Sequence, residues 1–250
     1  MSGAPDRGGG PGWSAARDRG PVRQVNEDRW LVGPLSEGAT LYAVADGMGG
    51  MTSGETNARI ALEGLYSALL DAAEPLSVAA QGQAVPVIRA AHEVALAAAN
   101  SPPGLEHGGS TLAWAVVRGG AVTIGWVGDS RVGVVGAGEL RWLTRDHSLV
   151  EKLMAAGQLT PEDARVHPYR NVLLHIVGPK FDDVKAEVVE ETCWHGERLL
   201  ICTDGIHAVM GDAQIAGAIT DGIDADGLLA AAIEAGSRDN LAAILVDISP

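Results

Sequence analysis

Leu41-Tyr42-Ala43-Val44-Ala45-Asp46-Gly47-Met48-Gly49-Gly50 runs from five residues suited to a buried strand directly into an Asp-Gly and a glycine pair. A carboxylate at the end of such a strand stands on a rigid support, and the glycine beside it lets backbone and solvent approach closely. The pattern recurs along the chain. Asp204-Gly205 ends Leu199-Leu200-Ile201-Cys202-Thr203, Asp239-Asn240 precedes the apolar run from Leu241, and Glu27-Asp28 precedes Arg29-Trp30-Leu31-Val32. Any one Asp-Gly is ordinary turn chemistry. Four acidic strand ends together suggest a shared rim of carboxylates at one edge of a sheet system. An all-oxygen set of this kind, with no Cys or His at ligand spacing, selects Mg²⁺, Mn²⁺ or Ca²⁺ over zinc or copper.

Outward from these sites, strands are expected at residues 29–32, 40–45, 110–118, 121–127, 131–135, 140–143, 184–189, 197–203 and 241–248. Gly119-Gly120 suits a hairpin between two of them. Ala-rich stretches at 53–73 and 85–100 have helical spacing, the second ending before Pro102-Pro103. Strands in hairpin series, with helices grouped elsewhere, argue for an α+β fold. Residues 1–12, rich in Gly, Pro and charge, read as a flexible tail before a single domain at 13–250. Between the strands, Ser148-Leu149-Val150-Glu151 is a capping box, Gly157 closes that helix, and Thr160-Pro161-Glu162-Asp163 opens another. This region, 147–178, reads as a small helical subdomain.

The chain has 250 residues, 46% of them hydrophobic and 20% charged, enough for a substantial core. Its formal net charge of −14 gives no long-range attraction for nucleic acid or an anionic membrane surface, and no run of 18 or more apolar residues suggests a membrane span. Two cysteines, Cys193 and Cys202, lack CxxC spacing and suit a reducing compartment. The expectation is a cytoplasmic monomer with neither nucleic-acid nor membrane partners.

The carboxylate motifs lie within an ordered series that resembles the PP2C (PPM) family of metal-dependent serine/threonine protein phosphatases, in its bacterial form. The series comprises Arg19-Gly20 with Arg23 and Asn26-Glu27-Asp28-Arg29, the stretch from Val44 to Gly50 with Gly54-Glu55, and Gly109-Ser110-Thr111-Leu112. It continues with Gly128-Asp129-Ser130-Arg131, Leu143-Thr144-Arg145-Asp146-His147, Thr203-Asp204-Gly205 and Ser237-Arg238-Asp239-Asn240. The resemblance implies a sandwich of two antiparallel sheets flanked by helices, with two Mn²⁺ or Mg²⁺ ions in a cleft at one end, and a flap subdomain at 147–178. It also implies roles. Asp46 bridges the two ions, Glu27 and the Gly47 carbonyl serve one, Asp204 and Asp239 serve the other, and Asp28 acts through a metal-bound water. Arg23 holds the substrate phosphate by paired, charge-assisted hydrogen bonds. Two divalent ions about 3.5–4 Å apart make a water nucleophilic near neutral pH and neutralise charge on the phosphoryl oxygens. The implied partners are phosphorylated proteins, the products of a Ser/Thr kinase.

The chain also departs from the family's pattern. Met48 stands where some members have a histidine proposed as general acid. Ala208 stands where members with a third metal often have another aspartate, leaving Asp129 and Asp146 as the candidates for such a site. His175-Ile176-Val177-Gly178 departs from the usual flap sequence. His147, His167, His175 and His207 read as structural or surface residues, Ser130 and Arg131 as a turn leading into a strand, and Ser110-Thr111 as strand-start packing. Two other functions stay open: a PP2C-like domain that binds phosphoproteins without hydrolysing them, and a phosphatase of small phosphorylated metabolites or nucleotides.

Overall fold

A computed structural model describes residues 6–49, 53–71, 108–178 and 187–248. One antiparallel sheet runs β1 (Asp6–Gly10), β2 (Trp13–Asp18), β12 (Leu241–Asp247), β11 (Arg198–Cys202), β8 (Arg131–Gly136), β9 (Glu139–Trp142). The other runs β10 (Glu187–Thr192), β7 (Ala121–Val127), β6 (Leu112–Arg118), β4 (Thr40–Met48), β3 (Asp28–Pro34), with β5 (Gly109–Ser110) on the end of β4. The helices are α1 (Ser53–Asp71), α2 (Leu149–Ala155), α3 (Pro161–Val166), α4 (Asp204–His207), α5 (Asp212–Thr220) and α6 (Ala225–Glu234).

Side-chain alternation sorts the central strands into layers. From β4, Tyr42 and Val44 point into the core between the sheets, where they meet Ile201 of β11 and Ile244 of β12. Leu41, Ala43 and Ala45 point outward into a second core beneath Leu62 and Leu65 of α1. On the opposite outer face, Leu200, Ala243 and Leu245 pack under Ile215 and Ile219 of α5 and Leu228 and Leu229 of α6. The result is four layers, α/β/β/α. Burial on both faces explains why β4, β11 and β12 read as almost unbroken apolar runs. The outermost strands β9 and β10 carry charged, largely exposed residues, which discourages further strand pairing.

The structure corrects several sequence expectations. Residues 6–10, placed in the flexible tail, form β1 and pair with β2 from Asp6↔Arg17 to Gly10↔Trp13. Their glycines leave room for aromatic rings: a Cβ on Gly8 would lie 2.4 Å from Trp30 Cη2, and one on Gly10 would lie 2.6 Å from Trp13 Nε1. The strand expected at 184–189 runs on to Thr192, in register with β7 from Glu187↔Trp126 to Thr192↔Ala121, while residues 184–186 lie outside the described residues. β2, α4, α5 and α6 are additions to the sequence reading. In α6 the signal was present, since Asp224 caps it by accepting the Gly227 N–H at 2.9 Å. The helix expected at 53–73 is present over its described residues, Ser53–Asp71, and residues 72–73 and the helix expected at 85–100 lie outside the described residues. Residues 147–178 contain α2 and α3, whose N-caps are Ser148 and Thr160 as expected. Within this stretch Ser148 pairs with Leu173, and the Ser110↔Val177 bridge joins it to the body.

Two glycine substitutions test this packing with opposite expected signs. A Cβ on Gly125 would lie 2.4 Å from Cζ2 of the buried Trp114, so Gly125→Ala should lower stability by about 1–3 kcal/mol. Gly217 of α5 is exposed with open space around it, so Gly217→Ala should raise stability by about 0.5–1 kcal/mol. Urea denaturation of both variants checks the pair.

Candidate metal centre

The end of β4 is held by a set of short polar contacts. Asp46 lies opposite Asp28 in the β3–β4 register. Its N–H donates to Thr111 Oγ1 at 2.9 Å, and its carbonyl accepts from the Thr111 N–H at 2.9 Å and from Ser110 Oγ at 3.0 Å. Thr111 Oγ1 lies 2.7 Å from Ser130 Oγ in the buried turn that leads into β8. Ser110, Thr111 and Ser130, read from sequence as packing and turn residues, therefore fix the backbone that carries Asp46.

The second sheet contributes Asp204 and Asp239. A Cβ on Gly205 would lie 2.1 Å from the Asn240 carbonyl oxygen, so glycine is what lets the first turn of α4 rest on the 239–240 backbone. Asn240 ties down the loop that precedes β3. Its Nδ2 donates to the carbonyls of Arg19 and Val25 at 2.8 and 3.0 Å, and its Oδ1 accepts the Glu27 N–H at 2.9 Å. That amide brings Arg23 and Glu27 beside Asp239. Arg23 Nη2 donates to Asp239 Oδ2 at 2.7 Å, with half of the arginine side chain exposed.

The electrostatics of this arrangement are unfavourable without a cation. Burial pushes the Asp28 carboxyl up to about 8; a hydrogen bond from Thr203 partly offsets the shift, while the charges of Asp204 and Asp239 add to it. Burial holds Asp46 well above the usual carboxylate range, reinforced by Asp28, Asp204, Asp129 and Asp239. Asp129 is raised well above that range by burial and then by Asp204 and Asp146, and Asp204 is raised to about 6 by burial and then by Asp239 and Asp146. Glu27 is raised as well, chiefly by burial. Like charges grouped at a partly buried rim favour protonation or a bound cation.

Three observations bear on whether divalent cations fit. Glu27 Oε1 and Asp129 Oδ1 are buried without a hydrogen-bond partner. Above Gly54 is a cradle that a side chain would fill: a Cβ there would lie 2.1 Å from Glu27 Oε1 and 2.7 Å from the Gly47 carbonyl oxygen. The donors are oxygens throughout, as hard cations require. Among the described residues no three acidic, His or Cys side chains are already drawn together at ligating distance. The set fits Mg²⁺ or Mn²⁺.

Asp146 is engaged elsewhere. Arg131 clamps both of its oxygens, with Nε to Oδ1 at 2.6 Å and Nη2 to Oδ2 at 2.7 Å, and the guanidinium lies 5.2 Å from the centre of the Trp142 ring. His207 Nε2 lies 3.0 Å from the Asp129 carbonyl oxygen. Because a carbonyl can only accept, that nitrogen carries the hydrogen, and burial holds the ring neutral by lowering its pKa to about 3. His207 and the buried His147 thus have structural surroundings, as read from sequence.

Comparison with known proteins places this architecture. A family model described as Protein phosphatase 2C matches residues 20–235. The serine/threonine protein phosphatase PstP of Mycobacterium tuberculosis is 31% identical over 240 residues; the match covers 94% of this chain but 45% of PstP, so the chain spans about half of that relative. The serine/threonine phosphatase Stp of Listeria innocua is 30% identical over 239 residues, covering 92% of this chain and 93% of Stp. Among solved structures, Stp1 from Staphylococcus aureus superposes with a TM-score of 0.86 at 26% identity, covering 95% of each chain. The PstP catalytic domain solved with two manganese ions superposes at 0.78 and 27% identity, covering 95% of this chain and 98% of that one. The sandwich, the ordered motifs and these matches agree that the chain belongs to the protein phosphatase 2C family.

Proposed function

We propose that the chain hydrolyses phosphoserine and phosphothreonine in proteins, using two divalent cations, Mn²⁺ or Mg²⁺, held at the carboxylate rim. The observation that carries this reading is the pairing of Asp46 and Asp28 at one buried strand end with Asp204 and Asp239 at another, beside the unpartnered Glu27 Oε1 and the open cradle over Gly54. Asp46 would serve both cations, Glu27 and the Gly47 carbonyl one of them, and Asp204 and Asp239 the other, with Asp28 acting through water. Bound cations of this kind supply a nucleophilic water at neutral pH and neutralise charge on the phosphoryl oxygens.

The chain's own residues do the rest. Arg23, half-exposed at the rim, binds and orients the phosphate dianion with its guanidinium fork. Thr111, Ser110 and Ser130 keep Asp46 from shifting as charge develops. Asp129, with Asp146, would provide a third cation position only if Arg131 released Asp146, so the working complement is two. Residues 147–178 serve as the flap bordering the site, anchored through the Ser110↔Val177 bridge to the serine whose hydroxyl reaches Asp46.

The curated relatives named as serine/threonine phosphatases support phosphoproteins as the substrate class, and reversal of a Ser/Thr kinase is the corresponding cellular role. The reading includes a monomer acting in the cytoplasm, in keeping with two free, buried cysteines. No helix among the described residues is long and apolar enough to cross a membrane.

Phosphate release from phosphothreonine peptides should require Mn²⁺ or Mg²⁺ and stop with chelator. Asp46→Asn and Asp239→Asn should each lower kcat/KM by at least about a hundredfold, a loss of roughly 2.7 kcal/mol of transition-state stabilisation. Arg23→Ala should act mainly on KM. Full turnover by Asp46→Asn, or turnover of nucleotides in preference to phosphopeptides, would contradict the reading.

The raised carboxyls also set a pH dependence. Asp28, with a folded pKa of about 8 against roughly 3.9 when unfolded, keeps a proton between pH 6.5 and 8 that the unfolded chain has lost. The folded state therefore binds more protons across this window, and stability falls as pH rises. Each such carboxyl contributes up to about 1.4 kcal/mol per pH unit. In chelator, Tm should drop from pH 6.5 to pH 8, and saturating Mn²⁺ should remove most of that drop. A flat Tm in chelator would contradict the electrostatic account.

A further inference from the structure

Thr203 lies where the two halves of the site meet. It follows β11, immediately precedes Asp204, and is fully buried. Its side chain reaches across the sandwich to the other sheet, with Oγ1 2.7 Å from Asp28 Oδ2 at the start of β3. The direction of this bond follows from the remaining contacts. The same Oγ1 accepts the Ala242 N–H at 2.9 Å. The competing acceptor for its hydrogen, the Ala242 carbonyl, is farther away at 3.4 Å and already takes the Thr203 N–H at 3.1 Å. The hydroxyl hydrogen therefore points at Asp28.

Asp28 is otherwise tied by its backbone: its N–H donates to Asn26 Oδ1 at 3.1 Å, and its carbonyl accepts from Arg17 Nη1 at 3.2 Å. Those bonds place the strand and leave the carboxylate's rotation to side-chain contacts, with the Thr203 hydroxyl at 2.7 Å and with the Asp46 carboxyl beside it.

We propose that Thr203 is a positioning residue for divalent-cation binding: its donated hydrogen bond holds the Asp28 carboxylate beside Asp46 and couples the sheet bearing Asp204 to the sheet bearing Asp46. A hydroxyl suits this task because it donates to the anion without adding a charge that would compete with the cation. Valine has nearly the same shape but would leave both Asp28 Oδ2 and the Ala242 N–H without this partner. The inference rests on the dinuclear reading above, and its test reads metal binding separately from hydrolysis.

The experiment is calorimetric titration of Mn²⁺ into the full chain freed of metal by chelation, with circular-dichroism melts confirming that each variant is folded. Thr203→Val should weaken Mn²⁺ binding by about 10- to 100-fold, the usual range for removing a partner that orients a ligand. Thr203→Ser should recover most of the affinity, and kcat at saturating Mn²⁺ should change far less than the affinity. On an Asp28→Asn background Thr203→Val should cause little further loss, because the two residues act through one bond. If the valine variant does not fold, Thr203→Cys, of similar size and weak donor strength, takes its place with the same expectation. Unchanged Mn²⁺ affinity in Thr203→Val, a serine variant as weak as valine, or a full additional loss on the Asp28→Asn background would each overturn the proposal. Two bound Mn²⁺ without phosphopeptide hydrolysis in the wild type would contradict the phosphatase reading alone, whereas no Mn²⁺ uptake would overturn both.

Discussion

Repulsion among buried carboxylates is the constraint around which this molecule is arranged. Asp28, Asp46, Asp129 and Asp204 are each raised first by burial and then by neighbouring carboxylates, Asp239 and Asp146 among them. A buried group of like charges is costly unless a cation offsets it. The protein opposes the repulsion with backbone clamps and hydroxyl donors: Thr111 and Ser110 on Asp46, and Thr203 on Asp28. None of these contacts neutralises charge, so the site keeps its demand for cations while the geometry stays fixed.

The sandwich makes that fixing possible. Strands buried on both faces cannot slide without exposing a whole row of side chains, so their ends are firm mounts for the acids. Glycine and asparagine then close the gaps between mounts. Gly205 lets α4 rest against the Asn240 carbonyl, Gly54 leaves space beside Glu27 and Gly47, and the Asn240 amide draws in the loop carrying Arg23. Arg131 deals with Asp146 locally, through a two-pronged pair braced on Trp142.

Much of this was legible in the sequence because strand ends followed by Asp-Gly are a local pattern, visible in Asp46-Gly47 and Asp204-Gly205. The two outer helices α5 and α6 were harder to see. They lie in a stretch rich in Ala, Gly and Asp whose apolar faces make sense only against Leu200 and Leu245. β1 was hidden because its glycines signal flexibility in isolation, whereas here they make room for Trp30 and Trp13. Within the site, the acids could be named from sequence, but the residues that hold them could not. Thr203, Thr111 and Asn240 act on partners 175, 65 and 221 positions away, and no local pattern encodes such contacts.

The central claim is that the rim is a place for two divalent cations whose arrival displaces protons held by crowded carboxyls. Calorimetric titration of Mn²⁺ at pH 7, repeated in two buffers of different ionisation enthalpy, counts ions and released protons together. The account predicts saturable uptake of two Mn²⁺ per chain, with heats that differ between the buffers because protons leave as metal binds. Buffer-independent heats, or no saturable uptake, would contradict it.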